Sequence, residues 1–236
     1  MCIKYWIICK NFWKDKYMMK RSTKEIFYRA IILLIGLVIA HLGVTMFILS
    51  NLGSDPFNVM VQGIFNTLYG LTNFSLLTHG RTHIVICLII ILVLLKVDRS
   101  YVKIGTLLCM IFGGPIIDFF TMLLNPLFQQ MNALPIKLIM LALGCVILAY
   151  GMTIVIKSDS GTGPNDLVAI VISDKLKKKF SIVRVVVDAT FVLVGFLLGG
   201  SVGLGTIICA CLVGPVAGIF LPINEKLVTN LLKKFL

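Results

Sequence analysis

The sequence predicts an all-α, polytopic membrane protein made of two three-span repeats, each carrying a short helix interrupted by glycine and proline. Three observations predict it. The chain is 58% hydrophobic and only 14% charged, with a mean hydropathy of +1.01, whereas soluble domains carry about a quarter charged residues. Six segments approach or reach the ~20 apolar residues that a helix rising about 1.5 Å per residue needs to span a bilayer. The second half of the chain also repeats the punctuation of the first.

Residues 1–29 read as a basic cytoplasmic tail. Its head, MCIKYWIICKNFWKDKYMMK, has neither the sustained apolar stretch nor the small-residue cleavage site of a signal peptide. It is either an interfacial amphipathic arm or an extension ahead of a start at Met18 or Met19. Repeat 1, residues 30–124, holds spans at about 30–50, 83–97 and 103–124. Repeat 2, residues 136–222, holds spans at about 136–156, 182–199 and 203–222, and residues 223–236 read as a cytoplasmic C-terminal tail.

Between the first two spans of each repeat lies a short apolar segment, 56–70 and 164–176. Each would be about 22 Å long as a helix, short of a hydrocarbon core of about 30 Å. If neither crosses, there are six spans and the repeats insert with opposite orientation, as in inverted-repeat transporters. If both cross, there are eight spans and parallel repeats. With six spans, 20 of the 22 Lys and Arg residues fall on the cytoplasmic side and only Arg81 and Lys137 outside. With eight, the split is 18 to 4. The positive-inside rule favours the six-span arrangement with both termini cytoplasmic. The net charge of +12 therefore reports orientation and an anionic leaflet, not nucleic acid.

The repeat is carried by residues with backbone consequences. At an offset of 108, Gly36 falls on Gly144, Gly43 on Gly151, Thr45 on Thr153, Ser50 on Ser158, Gly53 on Gly161 and Pro56 on Pro164. At an offset of 100, IGTLLCMIFGGPIID (104–118) lies over LGTIICACLVGPVAG (204–218). Each short segment opens on proline, which suits the first helical turn, after residues suited to capping. Asp166 in the second half and Asp55 with Asn58 in the first suit the positive end of a helix. Non-helical backbone at membrane depth survives only where protein buries it or a cavity wets it. Transporters build midplane sites this way. The candidate solute-binding residues are Asp55, Asn58, Gln62, Gly161, Gly163 and Asp166; the plainer alternative is that they only cap helices at an interface.

The repeated [TSG]-G/D-P-x-[DN] element and LGGSVGLGTIICACLVGP at 198–215 resemble the YczE/YyaS/YitT-like integral membrane proteins of bacteria. The resemblance covers residues 28–222, is stronger in the second half, and departs in the first, where SDPFN stands in place of a GPWD-like form. Without the soluble C-terminal domain of the YitT branch, the chain looks more like YczE and YyaS. The resemblance implies a bacterial plasma-membrane location and a transport role, and names no solute.

Other polar residues are weighed singly. Arg184 and Asp188 are one turn apart and suited to pairing; with Asp118, they are candidates for proton or sodium coupling, because ionisable groups inside spans are costly. A structural pair is the alternative. His41, inside the first span, reads as a satisfied packing partner. The HGRTH cluster, His79 to His83, lacks local carboxylate or thiolate and reads as an interfacial anchor rather than a metal site. The seven cysteines show no ligand spacing. No hydrolase, zinc-protease or phosphate-loop signature is present, so neither enzyme activity nor a cofactor is expected. The expectation is a secondary transporter or permease of a small solute with the lipid bilayer as its surroundings; the alternative is a non-transporting scaffold or regulator.

Overall fold

A computed structural model describes residues 22–53, 55–72, 79–129 and 133–235. The expected N-terminal arm up to residue 21 lies outside the described residues, as does the side chain of His79. All regular structure among the described residues is helical. Eight α-helices follow one another: α1 (Thr23–Leu49), α2 (Pro56–Thr72), α3 (His79–Val97), α4 (Ile104–Gln129), α5 (Leu134–Ser158), α6 (Pro164–Leu176), α7 (Phe180–Leu197) and α8 (Leu204–Phe235). Five of them, α1, α4, α5, α7 and α8, are long and apolar enough to cross a membrane. The two short segments are helices that open on Pro56 and Pro164, as their sequences require.

Helices α1 and α5 form the centre, and glycine brings them together. A Cβ on Gly36 would stand 3.0 Å from the carbonyl oxygen of Gly151, and one on Gly144 would stand 2.9 Å from that of Gly43. Among lipids, where burial of apolar surface distinguishes helix from solvent poorly, such close backbone approach supplies much of the association. Gly36 meets Gly151 and Gly43 meets Gly144, so the numbering runs up one helix and down the other. The helices are antiparallel.

The breaks after α1 and α5 have one design. Ser50 and Ser158 turn their hydroxyls back onto the carbonyls of Phe47 and Val155, at 2.6 and 2.7 Å. Asn51 and Asp159 then adopt left-handed φ values of 53° and 56°, and Gly53 and Gly161 follow at 139° and 132°. Only glycine takes the latter values without strain. Each break is secured by the other half: Leu52 accepts the Gly205 N–H at 2.8 Å, and Ser160 accepts the Gly105 N–H at 2.9 Å.

Helix α8 continues past the expected end at residue 222 through Pro222 to Phe235. Residues read as a tail are thus helical and packed. Asn224 is fully buried and donates to the Tyr150 carbonyl and the Thr153 hydroxyl at 3.1 and 2.6 Å, while Val228 and Leu232 join Ile32 and Ile154 in one cluster. Outward faces of α3, α4 and α7 expose large apolar side chains such as Leu92, Ile111 and Phe196, as lipid-facing helices do.

Candidate functional site

Helix α6 starts at Pro164 behind Gly163, whose backbone is extended and which offers no capping side chain. Asp166 therefore supplies the negative charge of the first turn. A left-handed Lys177 ends the helix and turns the chain back into α7, so the head of α6 meets α7 one turn beyond its start. There Arg184 donates Nη1 to Asp166 at 2.6 Å and Nε to Asp188 at 2.9 Å. The Arg184 side chain is 9% exposed, Asp188 1% and Asp166 18%. One guanidinium holds two carboxylates. Asp188 Oδ1 is buried and has no hydrogen-bond partner among the described residues. Buried charges persist only when paired, and a fork-shaped guanidinium is suited to pairing two acids at once.

In the first half, Asp55 caps α2. It accepts the Asn58 N–H at 3.2 Å and the Asn58 side-chain amide at 2.5 Å. Gln62 accepts the N–H of Ser201 at 3.0 Å, and Asn66 and Thr67 donate to the carbonyls of Gly199 and Leu198. A cavity of about 840 Å³ lies between this break and the 201–204 turn, lined by Asn51, Gly53, Asp55, Asn58, Gln62 and Ser201 among others.

A second cavity of about 290 Å³ lies at the other break, lined by Lys103, Asp159, Gly161 and Thr162 among others. Lys103 pairs with Asp159 across it, Arg29 donates to the Ser158 carbonyl at 2.9 Å, and Tyr101 donates to Asp174 at 3.1 Å. At its rim, the Ser100 N–H holds the Asp98 carboxyl below the usual carboxylate range. The two cavities are counterparts under the repeat: Gly53 and Gly161 each sit beside a threonine of the other half, Thr206 and Thr106.

The six candidate binding residues are thus distributed. Asp55, Asn58 and Gln62 line the first cavity and Gly161 the second, Gly163 caps α6, and Asp166 belongs to the Arg184 cluster. Arg184 and Asp188 pair as their spacing implies. Asp118 is not brought to them; it lies exposed on α4. Sequence reasoning missed the Asp166–Arg184 bond and the Lys103–Asp159 pair. The basic turn at 175–179, which folds α6 against α7, was the one signal for the former. Among the described residues no cluster of His, Cys, Asp and Glu is suited to a metal.

Residues 27–222 match a family described as a family of unknown function, DUF6198. The chain is 28% identical over 193 residues to "Uncharacterized protein YyaS" of Bacillus subtilis (strain 168), covering 81% of this chain and 92% of that one. It is 30% identical over 193 residues to "Uncharacterized membrane protein YczE" of the same organism, covering 81% and 85%. An "Uncharacterized protein" of Haemophilus influenzae is 32% identical over 196 residues, covering 83% and 84%. No solved structure matches.

Proposed function

This chain belongs to the DUF6198 family, among relatives like YyaS and YczE, and we propose that it is a secondary transporter of a small solute. It is a membrane protein by its apolar helices and by the name of a relative. In this reading it has two inverted three-span repeats in a bacterial plasma membrane, with both termini cytoplasmic and α3 as the sixth span. The antiparallel, reciprocal contact of α1 with α5 supports inversion, because parallel repeats would set these equivalent helices parallel.

The observation that carries the function is the Asp166–Arg184–Asp188 cluster at the head of a short helix, with a cavity at each of two repeat-related breaks. Solute would pass between the cavity of Asp55, Asn58 and Gln62 and that of Gly161, with Gly163 and Asp166 between them. Two carboxylates against one guanidinium leave the cluster with a net negative charge, which suits a cationic solute or a coupling proton or sodium ion. Uptake of candidate cations by proteoliposomes, with and without proton or sodium gradients, tests the reading. Gradient-dependent uptake lost in Asp188→Asn is the expected result; a well-inserted protein that moves no solute under any gradient counts against it.

A further inference from the structure

The two repeats are not seated alike. In the second, α7 lies on α8: a Cβ on Gly214 would stand 2.7 Å from the Ser181 carbonyl oxygen and 2.8 Å from Val185 Cγ2, and one on Gly218 would stand 2.9 Å from Ser181 Cβ. The offset of 100 relates Gly214 to Gly114, Gly218 to Asp118, Ser181 to Arg81 and Val185 to Val85, without a gap from residue 79 to 118. Yet among the described residues nothing lies within 4 Å of the Cβ position of Gly114. Gly114, Asp118, Arg81 and Val85 are all exposed, and α4 packs chiefly on α1 rather than on α3.

We propose that this bare face of α4 is the docking surface for α3 in a second conformation of the same chain, seated as α7 is on α8, with Arg81 meeting Asp118 across the joint. Shape supports that occupant, since Gly114 leaves room for Val85 as Gly214 does for Val185. Charge supports it too: Arg81 and Asp118 stand where Ser181 and Gly218 touch. Asp118 has no ion pair among the described residues, and docking would withdraw its carboxylate from lipid, where such a group is costly. The inference rests on the transport reading, in which the two joints exchange: one closed while the other stands apart, a rigid two-position element.

The test is disulfide crosslinking in native membranes. Arg81→Cys/Asp118→Cys is placed in a chain whose seven cysteines are replaced, beside Ser181→Cys/Gly218→Cys as the repeat-related control. Both pairs are expected to crosslink within one chain on oxidation. Failure of the first pair while the control crosslinks overturns the proposal. A crosslink at dimer mass also overturns it, assigning the face to a second copy. If the cysteine-replaced chain does not insert, the double variants keep their native cysteines and mass spectrometry reads the 81–118 linkage: its presence within one chain supports the docked state, and its absence beside a formed 181–218 linkage overturns it. Crosslinking needs no solute, so a silent uptake assay with a positive crosslink counts against transport alone.

Discussion

Arg184 donates to Asp166 on α6 and to Asp188 on its own helix, at 2.6 and 2.9 Å, so one buried cation serves two acids on two elements. Reversing the Arg184–Asp188 pair would place an aspartate at 184 beside Asp166. The double variant Arg184→Asp/Asp188→Arg is therefore expected to express as poorly as either single change. Adding Asp166→Asn should restore part of the loss. Removing one member of a buried pair typically costs about 3–5 kcal/mol, which is readable as expression level and as melting temperature in detergent. Full rescue by the double variant alone would show that Asp166 does not share the arginine.

Asp166→Asn keeps an oxygen that can accept from Arg184 and from the head of α6. The expected stability loss is about 1–2 kcal/mol, the difference between a charged and a neutral acceptor. Uptake should fall far more than stability, because an amide can neither take up a proton nor neutralise a cation. Equal losses in uptake and in folded protein would reduce Asp166 to a structural role.

Gly161→Ala should be worse than Gly53→Ala. Both residues hold left-handed φ values, a strain of about 1–3 kcal/mol for alanine. The added methyl at 161 would meet the Thr106 backbone nitrogen at 2.5 Å, which cannot turn aside, whereas at 53 it would meet the Thr206 hydroxyl at 2.6 Å, which can. Thermal unfolding of the two variants in one detergent checks the order.

The proposed arrangement of six spans and two inverted repeats would put Ser201 outside and Ser100 inside. A membrane-impermeant maleimide should label Ser201→Cys in intact cells and Ser100→Cys only after permeabilisation. Labelling of Ser100→Cys in intact cells would instead favour eight spans.

Glycine and proline made the two breaks legible, because their backbone demands do not depend on the side chains around them. Gly53, Gly161, Pro56 and Pro164 mark both breaks in the sequence alone. The short helices follow from the same residues. What could not be read was rotation and tilt. Helix α5 buries Leu141 and Cys145 but exposes Ile139 and Leu143, so it is apolar on every side and its periodicity does not announce which face meets α1. The Asp166–Arg184 bond depends on such a rotation, and so does the isolation of Asp118, which in sequence looks as buried as Asp188. The helical continuation through Pro222 was hidden because that proline reads as a stop although the packed residues beyond it, from Asn224 to Leu232, hold the helix on course.

The crossed hydrogen bonds at the breaks also set an order of events during synthesis. When Ser160 leaves the ribosome, the N–H it needs, on Gly105, has already been made. Leu52 has no such luck: its partner Gly205 belongs to the last helix. An unsatisfied carbonyl in hydrocarbon costs several kcal/mol, so a first break at membrane depth would bear that cost while nearly all of the chain is made. Two sites equivalent in space are thus unequal in time, and a ribosome stalled before α8 would leave the second half's break secured and the first half's open.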